Sequence, residues 1–326
     1  MTTFIKVIIA CLLLTLLFGC TVPNDTNDVN NIPSDKNVWF NYVIPVADFN
    51  LVQVSLRDYE YLLGGQKYIY TFRVYGEIND YLNKFPTWYG CTRGCPTQEQ
   101  YIKLAIFEPQ SQKYLKKIAT DFNAFPFKSE DKVRALVSMV QSMDYNTNKS
   151  DILESFPYQV LFDKQGICGE KTMLLLNILS DMGYKTAYLS FPDINHSAVG
   201  IGCDGNYDFR DSGYCYIEST KPMIITDTNV GPDLAALNIT KLNIYPISIG
   251  NNFNATLDNN ARLQYYYFIS HSEDVNFDFQ SFYYFNTYWG LNKTECDSNL
   301  ILCLGACWQK CSVGEFKCQS TGAVCQ

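Results

Sequence analysis

One stretch decides the organisation of this chain: Gly166-Ile167-Cys168-Gly169-Glu170-Lys171, followed by Thr172-Met173-Leu174-Leu175-Leu176-Asn177-Ile178-Leu179-Ser180-Asp181-Met182-Gly183. A cysteine stands among glycines, and a strongly apolar run follows it. The run ends at Gly183, the residue type that most readily adopts the left-handed conformation after a helix. The pattern predicts a helix that begins at or near Cys168. Backbone N–H groups and the dipole at a helix start favour a thiolate over a thiol, so Cys168 is a candidate nucleophile.

A cysteine nucleophile needs a base, and the chain has only two histidines, His196 and His271. His196 directly precedes a small-residue run from Ser197 to Cys203, which predicts a strand. A second strand-like run follows and carries Glu218. The order of cysteine at a helix start, histidine at a strand start and acid at the end of the next strand supplies nucleophile, base and base-orienting group. No cysteine motif lies near His271, which we interpret as an ordinary polar or core histidine.

The region from about Tyr158 to Pro222 resembles the transglutaminase-like superfamily, whose members share a papain-like core. It is most similar to a group of archaeal and bacterial surface proteins. Four segments carry the resemblance: Gly166–Leu176, Met182–Tyr184, His196–Gly202 and Tyr216–Pro222. The resemblance implies that Cys168 is the nucleophile, His196 the base and Glu218 the third member. Two positions depart from the group, because the third member is more often Asp and because an acidic residue often stands where this chain has Ile167.

These observations predict an α+β fold, in which a helix bearing Cys168 packs on an antiparallel sheet bearing His196 and Glu218. Strands are expected over Tyr68–Tyr75, Tyr184–Phe191 and 196–203. Helices are expected over 98–122, with an interruption near Pro109, and from Ser129, which is a candidate N-cap. The predicted divisions are a signal peptide (1–19), a flexible tether (20–37), an aromatic-rich α/β segment (38–125), a transglutaminase-like domain (126–290) and a cysteine-rich module (291–326).

The N-terminus has the features of an export signal. Lys6 precedes an apolar run from Val7 to Phe18, which is too short to span a bilayer comfortably. The run ends in Gly19-Cys20, which looks like the cleavage and lipidation site of a bacterial-type lipoprotein. Lipidation of Cys20 would anchor the protein to the membrane outside the cytoplasm. The alternative is an ordinary signal peptide in which Cys20 is incidental.

The cysteine count gives independent support for a reactive Cys168. Of 13 cysteines, removing Cys11 with the signal and Cys20 by lipidation leaves an odd number. Exported proteins tend to pair their cysteines, so one should stay unpaired. The remaining disulfide candidates fall into even local groups: Cys91 and Cys95; Cys203 and Cys215; and Cys296, Cys303, Cys307, Cys311, Cys318 and Cys325. Zinc is the alternative for the first and last groups, although disulfides suit the compartment better.

Composition narrows the function further. The net charge is −8 and no Lys/Arg cluster stands out, which argues against nucleic-acid binding. No cofactor and no metal site is predicted. We expect a cysteine peptidase or amidase, or a cross-linking transglutaminase, acting on a protein or peptide at the cell envelope. The alternative is a non-catalytic binding or structural module on the same scaffold. Gln159, in the segment before the nucleophile, is either an oxyanion donor or, as we favour, a surface or capping residue.

Overall fold

The computed structural model describes most of the chain between 49 and 271 and four short strands beyond it: residues 49–63, 66–84, 97–146, 155–228, 241–271, 300–303, 306–309, 316–319 and 322–325. Over these residues the fold is mixed helix and sheet, and almost all strand pairs are antiparallel. The predicted α+β class is confirmed.

The helices within the described residues are α1 (Gly76–Leu82), α2 (Gln98–Ile106), α3 (Pro109–Ala124), α4 (Ser129–Gln141), α5 (Pro157–Asp163), α6 (Cys168–Asp181) and α7 (Thr256–His271). The strands are β1 (Val54–Leu63), β2 (Gln66–Tyr75), β3 (Asp144–Tyr145), β4 (Gln165–Gly166), β5 (Thr186–Phe191), β6 (His196–Gly202), β7 (Tyr214–Ile217), β8 (Asn243–Ser248), β9 (Leu300–Cys303), β10 (Ala306–Gln309), β11 (Phe316–Gln319) and β12 (Gly322–Cys325).

Helix α6 lies at the centre of the molecule, and every residue from Cys168 to Leu179 is buried. The apolar run Met173–Leu176 and its neighbours need cover on every side, and α3, α4, α5, β5 and β6 all pack around the helix. Gly183 follows the helix with a φ of +91°, as the sequence predicts. The predicted helix start is also confirmed, because Cys168 is the first residue of α6.

The central sheet has the strand order β7-β6-β5-β8 and is antiparallel throughout. The predicted strand after α6 begins at Thr186, and all six residues of β5 are buried, as expected of a central strand. Close packing is built into β6: a Cβ at Gly200 would lie 3.0 Å from the Cβ of Tyr214. The expectation that a strand glycine marks close approach is confirmed there.

The two faces of this sheet have different neighbours. Val199 and Ile201 of β6 belong to the same apolar cluster as α6. The opposite face carries a second, smaller cluster, composed of Ala187, Leu189, Phe191, Ala198, Tyr214 and Tyr216. Phe209, in a short 3-10 turn between β6 and β7, packs against this second cluster.

The helical layer follows the predicted pattern with one correction. The expected break near Pro109 is present, since α2 ends at Ile106 and the Glu108 carboxylate caps α3 by accepting from Gln110 and Ser111. The apolar stripe predicted for α4 is buried, and its members are Val133, Leu136, Val137, Val140 and Met143. Ser129 is not the N-cap, however. It is the first helical residue, and the backbone turns at Lys128 without a side-chain cap.

The hairpin β1–β2 contributes to the main core. The predicted strand over Tyr68–Tyr75 is confirmed as β2, while its partner β1 was not predicted from the sequence. The Tyr59 hydroxyl donates to the carbonyl of Leu161 at 2.7 Å. One apolar cluster includes residues from Tyr59 to Ala261. The boundary between the aromatic-rich segment and the following domain, placed between residues 125 and 126, stays a prediction.

A buried ion pair joins α4 to α7. The Arg134 guanidinium donates from Nε to Asp258 Oδ1 at 3.0 Å and from a terminal nitrogen to Oδ2 at 2.7 Å. A second terminal nitrogen of Arg134 donates to Asp131 at 2.6 Å. The two-point geometry fixes one helix against the other.

Several sequence predictions lie outside the described residues. These are the signal peptide, the tether and the cysteines Cys20, Cys91, Cys95, Cys296 and Cys311. Four further cysteines, Cys303, Cys307, Cys318 and Cys325, lie on β9 to β12, where only the backbone is described. Within the described part of the chain, no helix is both long and apolar enough to cross a membrane.

Candidate active site

The structure brings Cys168, His196 and Glu218 together. Cys168 is the first residue of α6, so its backbone N–H points outward from the first turn, as N–H groups do at every helix start. The thiol lies outside any disulfide. It makes a side-chain hydrogen bond with the imidazole of His196. The nucleophile and the base proposed from the sequence are therefore in contact.

His196 begins β6, and the preceding turn determines its position. A single 3-10 turn, Pro192–Ile194, ends at Asn195, whose φ of 49° lies in the left-handed region that asparagine tolerates well. His196 then pairs with Phe191 across the sheet. The two rings stack with centroids 6.1 Å apart and planes 27° apart. This apolar wall restricts how the imidazole can turn.

Glu218 directly follows β7 and orients His196. Its Oε2 lies 3.0 Å from His196 Nε2. Because Nε2 faces Glu218, Nδ1 is the ring nitrogen left to face Cys168. The other carboxylate oxygen, Oε1, accepts from the backbone N–H groups of Ser219 at 2.9 Å and Thr220 at 2.8 Å, and from the Thr220 hydroxyl at 2.6 Å. The carboxylate is thus held by its own segment.

Each charged group of the site stabilises the charged form of its neighbour. Burial alone would lower the pKa of His196, but hydrogen bonds to Cys168 and Glu218, together with the Glu218 charge, raise it to about 10. Burial alone would raise the pKa of Glu218, and the bonds from His196 and Thr220 instead bring it down to about 2. Near neutral pH the histidine is therefore an imidazolium and the glutamate a carboxylate. This is the state that stabilises a neighbouring thiolate.

Helix α6 is fixed at its start by Glu170. The Glu170 carboxylate accepts from the backbone N–H of Ile167 at 3.0 Å and from that of Ser155. The first contact closes the turn that leads into the helix. The second ties that turn to the segment before α5. Together they hold the Cys168 backbone in place.

A second set of contacts links α6 to the Glu218 segment. Lys171, fully buried one turn after Cys168, donates to the carbonyls of Met143 at 2.8 Å and Thr220 at 3.3 Å. Burial lowers the pKa of Lys171 to about 8, against the opposing effect of the Glu218 and Asp144 charges. The amide of Gln141 donates to the Glu218 carbonyl at 2.8 Å. Lys171 and Gln141 thus connect the helix that carries Cys168 with the segment that carries Glu218.

The three side chains of the site are buried to different degrees. The Cys168 residue is 3% exposed, and the His196 side chain is 13% exposed. Glu218 is almost fully enclosed. Of the three, His196 is therefore the most exposed.

The disulfide candidates Cys203 and Cys215 form a bond, with Cα atoms 5.7 Å apart. Cys203 directly follows β6 and Cys215 lies within β7. The bond therefore joins the two strands that position His196 and Glu218. The predicted staple between neighbouring antiparallel strands is confirmed.

Two other predicted residues have simpler outcomes. Gln159 accepts from the Phe156 backbone N–H at 2.9 Å and donates to Asn83 at 2.7 Å, so the capping interpretation is confirmed. His271 is the last residue of α7, and its side chain is not among those described.

Sequence reasoning missed three contributors to the site: Tyr216, Thr220 and Lys171. The Tyr216 hydroxyl donates to Glu218 Oε2 at 2.8 Å. A signal was present, because residues two apart on a strand share a face, and Tyr216 and Glu218 are two apart. No comparable signal marks Lys171, whose acceptors are carbonyls far away along the chain.

Among the described residues, no three His, Cys, Asp or Glu side chains are grouped as metal ligands would be. Comparisons of the chain with protein-family models, with curated proteins and with solved structures found no match.

Proposed function

We propose that this protein is a transglutaminase-like cysteine enzyme with a papain-like core, which transfers acyl groups from amide bonds through a thioester on Cys168. The observation that supports this best is the contact chain from the Cys168 thiol through His196 to Glu218. We further propose that the protein is exported, is anchored to the membrane through lipid on Cys20, and acts on a protein or peptide at the cell envelope.

In the first step, Cys168 Sγ attacks the amide carbonyl carbon and forms a C–S bond. The negative charge moves to the carbonyl oxygen, toward the outward-pointing backbone N–H at the start of α6. The His196 imidazolium then gives its proton to the amine as the C–N bond breaks. The products are a thioester on Cys168, a free amine and a neutral imidazole. Glu218 keeps the ring oriented throughout.

In the second step, a nucleophile resolves the thioester, with His196 now accepting its proton. Water gives hydrolysis, and a lysine amine gives a cross-link. We favour hydrolysis because water is abundant and needs no second binding site.

The first test is alkylation of Cys168 by iodoacetamide in the full-length protein, followed by peptide mass spectrometry. At pH 6.5 a thiol with a pKa of about 8.5 is only about 1% thiolate. The His196-paired thiol should be mostly thiolate, although its lower basicity makes each thiolate less nucleophilic. We expect His196→Ala to slow alkylation about tenfold. Equal rates in the two proteins would overturn the proposal.

A second test separates the two outcomes of the thioester. Hydroxylamine converts an acyl thioester to a hydroxamate, so incubation with a casein digest should yield peptide hydroxamates that Cys168→Ala does not produce. Replacing hydroxylamine with a fluorescent primary amine distinguishes the reactions. Label on the peptides indicates transamidation, and unlabelled cleavage products indicate hydrolysis.

The burial of Cys168 favours one other function. Cys168 is 3% exposed, and a buried thiol also suits a non-catalytic envelope binding or structural module. In that case iodoacetamide would still react, whereas no acyl donor would form a hydroxamate.

A further inference from the structure

Tyr216 lies beside the His196–Glu218 pair and has no role in the mechanism described so far. Its hydroxyl donates to Glu218 Oε2 at 2.8 Å and lies 3.4 Å from His196 Nε2. The residue is 3% exposed. The Tyr216 hydroxyl therefore lies next to Glu218 Oε2 and His196 Nε2, the two atoms through which the acid and the base are joined.

The Tyr216 ring is held on several sides. It packs against Phe191 with centroids 6.1 Å apart and against Phe209 with centroids 5.6 Å apart. In the sheet, Tyr216 pairs with Gly200 of β6, whose missing side chain leaves room for Tyr214, two residues earlier on β7. Because the ring cannot swing, the hydroxyl has a fixed position.

The two oxygens of Glu218 are held differently. Oε1 accepts three hydrogen bonds from Ser219 and Thr220, which belong to the same short segment. Oε2 faces His196 and Tyr216. Bonds to Oε1 alone leave the carboxylate able to rock about that oxygen. A donor on Oε2 removes this freedom and directs the remaining lone pair toward His196 Nε2.

We propose that Tyr216 is a positioning residue for the acyl transfer, which fixes Glu218 Oε2 so that His196 presents Nδ1 to Cys168. This inference rests on the proposed function and adds a fourth residue to it. In this proposal Tyr216 acts through Glu218, to which its hydroxyl donates.

The hydroxyl can keep this role over a wide pH range. Burial raises the pKa of Tyr216 well above its ordinary value, and the neighbouring Glu218 charge raises it further. The phenol therefore stays protonated and remains a donor wherever His196 is charged.

The test is Tyr216→Phe, which removes one hydroxyl and keeps the ring. Tyr214→Phe is the matched control, because Tyr214 lies two residues earlier on β7, on the same face and in the same apolar cluster, and its hydroxyl takes no part in the network around Glu218. For each full-length protein, the rate of Cys168 alkylation is measured from pH 5 to 9, and the Tm is measured beside it.

We expect Tyr216→Phe to raise the apparent pKa of the thiol by about half a unit to one unit, so that the whole alkylation profile moves to higher pH by that amount. Tyr214→Phe should leave the profile unchanged. A Tyr216→Phe profile that superimposes on the wild type overturns the inference. So does an equal shift in the two variants, because it would indicate a general packing effect.

The same data separate this inference from the proposed function. If wild-type alkylation ignores His196→Ala, the proposed function and the role of Tyr216 fail together. If it depends on His196 but not on the Tyr216 hydroxyl, the proposed function stands and only the role of Tyr216 fails.

Discussion

In the described part of the chain, two buried ion pairs look alike but differ in what they can do. Arg134 and Asp258 join α4 to α7 through two parallel hydrogen bonds, and both side chains are almost fully enclosed. His196 and Glu218 meet through one hydrogen bond of 3.0 Å, and the histidine side chain is 13% exposed. The Arg134–Asp258 pair is enclosed, whereas His196 of the other pair also contacts the Cys168 thiol.

The difference lies in the cations. A guanidinium stays charged at every accessible pH, and its planar fork matches a carboxylate at two points. An imidazole has one nitrogen for the carboxylate and another for a reacting group, and it can lose its proton. The Arg134 pair can therefore only hold the fold, whereas the His196 pair can hold the fold and also move a proton.

The largest expected effect is on the structural pair. Arg134→Ala leaves the Asp258 charge buried and uncompensated, and should lower the free energy of unfolding by about 3–5 kcal/mol. Urea denaturation measures this. The control is Lys117→Ala, which breaks the exposed Lys117–Asp121 pair on α3 and should cost less than about 1 kcal/mol. Equal losses in the two variants would show that the Arg134 pair is energetically an ordinary surface pair.

The second effect concerns the disulfide beside the catalytic pair. The Cys203–Cys215 bond spans a sequence separation of 12. A loop of this size corresponds to about 3 kcal/mol of stabilisation in the chain-entropy account. We expect Cys203→Ser/Cys215→Ser to lower the free energy of unfolding by this amount under non-reducing conditions. With a reductant that opens the bond in the wild type, the difference should shrink. A loss below about 1 kcal/mol would contradict the expectation.

The third effect distinguishes the two pairs by pH. The pKa of His196 is raised above its ordinary value of 6.5, so its contribution to stability is complete below about 6.5 and is lost as pH rises through about 10. The pKa of Glu218 is lowered from 4.5, so its contribution is complete above about 4.5 and is lost as pH falls through about 2. Between pH 4.5 and 6.5 both contributions are present in full.

The stability difference between wild type and His196→Ala should therefore be largest in that window, at about 1.5–3 kcal/mol, the value of a hydrogen bond to a charged group. It should decrease toward pH 10. The difference for Arg134→Ala should stay level from pH 6 to 10, because the guanidinium does not titrate there. Urea midpoints at successive pH values measure both. If the stability losses of His196→Ala and Arg134→Ala changed with pH in the same way, the proposed difference between the two ion pairs would be contradicted.

The smallest effect comes from neutralising the acid without removing it. Glu218→Gln keeps the shape of the side chain but removes the charge that raises the pKa of His196. We expect the apparent pKa of the Cys168 thiol to rise by about one unit or less, which slows alkylation at pH 6.5 by less than about tenfold. The control is Glu170→Gln, because Glu170 is a buried carboxylate that accepts from two backbone N–H groups at the start of α6. Equal slowing in both variants would indicate a general effect on the helix start.

The sequence was most informative where the pattern is local. Cys168 was found because a glycine-rich turn and an apolar run mark a helix start within a few residues. His196 was found because only two histidines are present and only one follows such a motif. The strands β5, β6 and β7 were recognisable from their composition, and their order placed Glu218 near His196.

What the sequence did not predict depends on contacts between distant residues. The Arg134–Asp258 pair spans 124 positions, and neither residue stands in a motif. Strand β1 and helix α7 were also not predicted, since mixed polar and aromatic composition fits several structures. Lys171 lay within the motif, but only the fold shows that its ammonium reaches carbonyls of the α4–β3 connection and of Thr220.

The central claim is that His196 is an imidazolium at neutral pH, held between Glu218 and the Cys168 thiolate. Selective ¹⁵N labelling of histidine tests it directly, because the chain has only two histidines and His271→Gln assigns the spectrum. The ring nitrogens of His196 should both stay protonated well past pH 8, with a midpoint near 10, and the midpoint should fall in Cys168→Ala. A midpoint near 6.5 that ignores Cys168→Ala would contradict the account.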